Sequence, residues 1–154
     1  MKTIVLGLGN PILSDDGIGL LIAETLIRKI KNPEITVETT CLGGLNLLEL
    51  LTGYDKALII DAIQTGENEP GQIYRLHPYS LLQARHTSST HGISFYNTIK
   101  LGKGLGMKLP EEIVIYAVEA EDVNTFGERC SSHVKRAIPK CVKQILEELN
   151  QQGC

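Results

Sequence analysis

No stretch of the chain approaches the roughly 20 consecutive apolar residues that a membrane-spanning helix needs. The apolar start, Met1 to Gly7, is too short for the h-region of a signal peptide and runs straight into a glycine motif. These two absences predict a cytoplasmic protein with no membrane insertion. Positive charge is also in deficit, with 15 Lys plus Arg against 18 Asp plus Glu and a net charge of −3. A phosphate-backbone binder needs the opposite balance, so nucleic acid is not an expected partner. The four cysteines, Cys41, Cys130, Cys141 and Cys154, contain no CxxC pair. Neither a zinc knuckle nor a dithiol redox centre is written, and reduced thiols used as small apolar residues are the expectation. A GxSxG elbow is missing, and no Ser or Cys stands in a context that activates a nucleophile. Repeats, linkers and low-complexity tracts are absent too.

What remains is an ordinary soluble composition, 42% hydrophobic and 21% charged over 154 residues, enough for one core and one domain over residues 1–154. Lys2 to Gly7 reads as a strand buried on both faces, turned sharply by Gly9 and Pro11. After Ser14-Asp15-Asp16-Gly17, apolar residues Ile18, Leu21, Ile22, Leu26 and Ile30 recur at helical spacing and predict a helix from about Gly17 to Ile30. Ile35 to Thr40 alternates and predicts a strand nearer a sheet edge, followed by a short apolar helix from Leu45 to Leu51. Lys56 to Asp61 is a second buried strand, Gly71 to Leu76 a weaker one, and Ile113 to Val118 a last β-branched one. Ile93 to Leu105 has a mixed helical pattern, and Ser131 to Asn150 predicts a long amphipathic helix that Pro139 either kinks or starts. Strands alternating with helices predict an α/β fold, a three-layer sandwich with a mostly parallel sheet and helices on both faces.

In open α/β sheets, ligands gather at the carboxyl ends of the strands. Three groups able to bind metal or move protons fall there: Asp16, Asp61 and His91. Asp15 and Asp16 sit where a helix start favours negative charge, Asp61 closes an apolar strand, and His91 lies on a loop or first helical turn. Two acids and an imidazole suit a borderline divalent cation such as nickel or zinc. Taken singly, each has a plain reading as an Asx turn, a helix cap or a solvated loop histidine. Gly7-Leu8-Gly9-Asn10-Pro11 invites a dinucleotide-binding reading, but Ile12 stands where the third glycine is needed, and Asp15 and Asp16 would face a pyrophosphate. Gly43 and Gly44 would let a bound peptide backbone approach closely, or simply make a tight turn.

Taken together, Gly7-Leu8-Gly9-Asn10, Asp15-Asp16-Gly17-Ile18-Gly19, Gly43-Gly44-Leu45, Ile60-Asp61-Ala62 and His91-Gly92 resemble the hydrogenase maturation endopeptidases. The resemblance covers essentially the whole chain, through Phe126-Gly127 and the final helix with Pro139. It implies a twisted α/β sandwich and an endopeptidase that removes a C-terminal extension from the nickel-iron hydrogenase large-subunit precursor after nickel insertion. It also implies metal-binding roles for Asp16, Asp61 and His91, which are then the expected catalytic residues. Some relatives carry Glu where this chain has Asp16, one methylene shorter. Nickel is expected to arrive with the precursor, with zinc or another divalent metal substituting in vitro, and a monomer is the expected state. Two other readings share features of the sequence. One is a nickel-recognising maturation chaperone that does not cut. The other is a peptidyl-tRNA hydrolase-like hydrolase, whose first strand also ends in Gly-Leu-Gly-Asn-Pro.

Overall fold

The computed structural model describes residues 1–41, 45–83 and 92–150. Its centre is a five-stranded sheet in the order β2-β1-β3-β5-β4. The strands are β1 (Thr3–Leu8), β2 (Ile35–Thr40), β3 (Lys56–Ile63), β4 (Ile73–Leu76) and β5 (Glu112–Glu119). Runs such as Ile4-Val5-Leu6 and Leu58-Ile59-Ile60 have no polar face to show water, so they occupy the middle of the sheet, where both faces are covered. β2, with its threonines and Glu38, lies at one edge, as its alternation predicts. Four of the strands run parallel, and β4 pairs antiparallel with β5 from Ile73↔Val118 to Leu76↔Ile115.

Side-chain alternation divides the core in two. Val5, Leu58, Ile60, Val114, Tyr116 and Val118 point to one face, covered by α1 (Ile18–Lys29) through Ile18, Ile22 and Leu26 and by α6 (Ala137–Asn150) through Cys141, Val142 and Ile145. Ile4, Leu6, Leu8, Ala57, Ile59, Ile63, Ile113 and Ile115 point to the other, covered by α2 (Leu45–Leu51) and α4 (Gly92–Gly104) through Leu47, Leu48, Leu51, Phe95 and Ile99. This is the three-layer sandwich expected.

Some boundaries differ from the sequence reading, each for a physical reason. The acids at 15 and 16 belong to a separate single turn of 3-10 helix, Ser14–Gly17, and α1 begins after it. β3 does not stop at Asp61, because β5 continues the ladder to Ile63↔Glu119. The C-terminal amphipathic run is two helices, α5 (Ser132–Lys135) and α6, with Pro139 in the first turn of α6, where its missing N–H costs nothing. A short helix, α3 (Pro78–Gln83), follows β4, and its Tyr79 meets Tyr96 of α4 edge to face with ring centroids 5.6 Å apart.

The amino end of the sheet is tied by charge. The buried Lys56 Nζ lies 3.3 Å from Glu112 and 3.9 Å from Glu148 of α6, and Arg75 of β4 reaches the same Glu148 at 2.5 Å. Among the described residues no helix is long and apolar enough to cross a membrane.

Three weak acids in or against the core keep their protons far up the pH scale. Burial pushes the Cys141 thiol from 9.0 to about 12. Cys130 rises to about 11, through burial first and the Asp15 charge second. Tyr116 rises to about 12, through burial first and then the charge of Glu148. Above about pH 9 the unfolded chain releases these protons while the folded chain holds them, so stability is full below that pH and falls as pH rises toward 12. The urea midpoint should therefore drop between about pH 8.5 and 10.5, and Cys141→Ala should flatten part of the slope. A midpoint flat over that range contradicts the assignment.

Candidate functional site

The site is assembled at the carboxyl end of the sheet by a close backbone approach. Gly19, in the first turn of α1, lies so near the strand ends that a Cβ there would run into the carbonyl oxygens of Leu8 and Ile60. A Cβ on Gly9 would likewise meet the Asp16 carbonyl. The 3-10 turn that carries both acids is thereby folded over the end of β1 and packs beside β3. Since Gly7 pairs with Ile60, Asp61 stands next to Leu8, in the strand adjoining the turn.

The two adjacent acids do different work. Asp15 is fully buried and accepts from the Glu121 and Asp122 amides, both at 2.9 Å, and from the Ser131 amide at 2.6 Å. The Ser131 hydroxyl adds donor contacts to both carboxylate oxygens at 3.0 and 2.8 Å. One carboxylate thus fastens the β1 turn to the segment after β5 and to the start of α5. Around it, the Asp15 amide donates to Asp122 O, the Ser14 amide to Gly127 O, and the Gly127 amide to Ile12 O. Ser14 takes a left-handed backbone, φ 47°, and its hydroxyl donates to Thr125 O at 2.8 Å.

Asp16 and Asp61 are both buried, each 5% exposed. Asp16 Oδ2 accepts from the Asn10 amide at 3.0 Å, and Asn10 Oδ1 closes an Asx turn on the Ile12 amide. Asp61 Oδ1 accepts from the amide of Ala62 at 2.8 Å. The structure therefore brings these two predicted residues to the same end of neighbouring segments. His91, Gly43 and Gly44 lie outside the described residues, as does Cys154. Among the described residues no three His, Cys, Asp or Glu side chains group as a metal site. Two carboxylates could offer a divalent cation hard oxygen donors, and most of its coordination would then fall to other groups.

A fourth carboxylate at this end is not among the residues the sequence reading singles out. Glu119, 1% exposed, accepts from the Thr65 amide at 2.8 Å, the Thr65 hydroxyl and the Tyr74 hydroxyl at 2.8 Å. Burial, with this bond to Glu119, holds the Tyr74 phenol above its ordinary range. The signal was available, since Glu119 closes an apolar run as Asp61 does. Cysteine chemistry finds little footing: the thiols of Cys130 and Cys141 are held protonated, as their apolar use predicts, whereas Cys41 departs from it by being exposed.

Removing the Asp15 carboxylate leaves three part-buried amides without their acceptor at once. Asp15→Ala should therefore lower the unfolding free energy by about 3 kcal/mol in urea titrations. A loss below about 1 kcal/mol would show that the clasp is not structural.

Comparison with known proteins agrees with this architecture. The family model described as hydrogenase maturation protease matches residues 20–148. The hydrogenase 2 maturation protease of Escherichia coli is 26% identical, over 99% of this chain and 93% of that protein, a span that includes the turn with Asp16. The hydrogenase expression/formation protein HupD of Thiocapsa roseopersicina is 24% identical over 99% of this chain and 69% of its own length. Among solved structures, the hydrogenase maturating endopeptidase HybD from E. coli superposes with a TM-score of 0.82 at 25% identity, covering 99% of this chain and 94% of that one. The [NiFe] hydrogenase maturation protease HybD from Thermococcus kodakarensis gives a TM-score of 0.75 at 25% identity, covering 97% and 99%. With a buried carboxylate pair at the carboxyl end of this sheet and a family match over most of its length, the chain belongs to the hydrogenase maturation protease family.

Proposed function

We propose that this protein is the endopeptidase that removes the C-terminal extension of a nickel-iron hydrogenase large-subunit precursor once nickel is inserted. The observation that carries the reading is the placement of Asp16 and Asp61, two nearly buried carboxylates, at one end of the sheet. Nickel belongs to the substrate here. Asp16 and Asp61, joined by His91, engage the nickel that the precursor already holds, and this registers the tail of the precursor beside the site. A bound divalent cation supplies Lewis-acid polarisation of a carbonyl, or a water made acidic enough to attack it. Gly43 and Gly44 are assigned to passage of the substrate backbone, because a chain without Cβ atoms lets another backbone come close.

The surrounding residues narrow what each acid does. Asp15 does not serve as a proton acceptor, since both its oxygens are taken up by amide and hydroxyl donors. It positions the turn, and Asp16 and Asp61 are left to meet the cation. A ligand set completed only by the docked precursor makes cleavage conditional on nickel, so unloaded precursors and generic peptides escape. Zinc or another divalent metal placed in the precursor in vitro would present the same charge to the pair.

The test is mass spectrometry of nickel-loaded precursor incubated with wild-type protein and with Asp16→Ala, Asp61→Ala and His91→Ala. The expected outcome is loss of a C-terminal peptide with the wild type, at least 100-fold slower in each variant, and none from nickel-free precursor. Intact precursor that still binds in a nickel-dependent way would instead identify a recognition chaperone. Efficient cleavage of casein by the purified protein would refute the metal-guided reading.

A further inference from the structure

β2 forms one edge of the sheet, and half of its backbone groups point away from its single partner. The Thr3 amide donates to Glu34 O and the Gly9 amide to Thr40 O, in register with Thr3↔Ile35 and Leu8↔Thr40. In a parallel ladder a residue directs its N–H and C=O to the same side, and successive residues alternate. The even residues of β2 therefore face β1, and Ile35, Val37 and Thr39 face outward. The Ile35 amide is used by Asn32 O. Among the described residues, the amides of Val37 and Thr39 and the carbonyls of Ile35, Val37 and Thr39 are left along the open side, at the spacing of a strand ladder.

Exposed edges are normally blunted by proline, lysine or a bulge. Ile35-Thr36-Val37-Glu38-Thr39-Thr40 has no proline or lysine, and its pairing with β1 is uninterrupted over all six residues. The opposite edge, β4, is only four residues long and carries Arg75. β2 also leads to the site. Its last residue, Thr40, accepts from the Gly9 amide, and the next amide, of Asn10, donates to Asp16 Oδ2.

We propose that the open edge of β2 receives an extended segment of the client polypeptide as an added strand, and that this delivers the chain to be cut to the carboxylate end of the sheet. The proposal rests on the proteolytic reading above and adds to it the docking mode of the substrate. A row of backbone donors and acceptors selects an extended polypeptide over any other class of ligand, and does so with little regard to side chains. The client's recognised feature is then its nickel site, and the edge supplies alignment.

The test uses Val37→Pro and Thr39→Pro, which remove outward amides without touching the ladder to β1, and edge strands tolerate proline in that orientation. Thr39→Ala keeps the amide and serves as the control. Cleavage of nickel-loaded precursor is followed by mass spectrometry across a precursor concentration series, with a circular-dichroism melt and sedimentation of each variant. KM should rise about tenfold in each proline variant, with kcat within about twofold, as expected for a lost intermolecular hydrogen bond and a ring in the path of the added strand. Thr39→Ala should match the wild type. Pulse hydrogen exchange on the wild type, in the first seconds after mixing with excess precursor, should slow exchange at Val37 and Thr39, and this decides the matter if a proline variant fails to fold. Folded proline variants with unchanged KM, or unprotected amides on mixing, overturn the proposal. So does a wild-type dimer that the proline variants dissociate, since a second copy would then own the edge. Absence of cleavage by the wild type defeats the proteolytic reading alone, because pulse exchange still reports whether the edge is covered.

Discussion

The site depends on the approach of one helix to two strand ends at backbone distance. Gly19 stands against the carbonyls of Leu8 and Ile60, and no residue with a Cβ could stand there without pushing α1 off the sheet. From this contact follow the tight fold of the preceding turn, the position of Asp16 beyond the end of β1 and its closeness to β3, where Asp61 is fixed by the ladder with β5. A displacement of the helix would carry Asp16 with it and leave Asp61 behind. The pair is thus a property of packing, since no direct bond between the two acids is needed to define it.

The two adjacent acids, Asp15 and Asp16, show how far identical side chains can diverge. The Asp15 side chain meets donors 106 to 116 positions away along the chain, and so holds three separate segments at one point. Asp16 accepts from the Asn10 amide, six positions away, within the turn itself. Burial differs little between them, so accessibility alone would not sort structural from functional roles. Its partners decide the case of Asp15, because a carboxylate whose oxygens are saturated by fixed amides cannot also bind a cation or take a proton without losing those bonds.

Much of this was legible from local pattern. β2 and α2 lie within the bounds that alternation and apolar spacing predict, and the mostly parallel sheet follows from the order of elements. What was not legible depends on partners far along the chain. β3 runs past Asp61 because β5 is there to pair with it, and an apolar run seen alone ends at its first carboxylate. The role of Asp15 required knowing that Ser131 and Glu121 come to it. Glu119 was overlooked although it closes an apolar strand just as Asp61 does, because its partners Thr65 and Tyr74 carry no sequence signature. α3 is a six-residue helix whose seat is contact with α4, too short for periodicity to register.

The two ends of the sheet handle buried charge in opposite ways. At the amino end, Lys56 and Arg75 meet Glu112 and Glu148, so opposite charges cancel and the ties hold β3, β4, β5 and α6 together. At the carboxyl end, Asp15 and Glu119 are satisfied by amides and hydroxyls, which fill their oxygens without adding positive charge. Among the described residues neither Asp15 nor Glu119 is joined to a cationic side chain, and Asp16 and Asp61 lie at the same end of the sheet. A fold needing only stability would neutralise such a cluster as it does at the other end. On the proposed function, such a cluster suits the approach of a cation carried by the client polypeptide, with the open edge of β2 beside it.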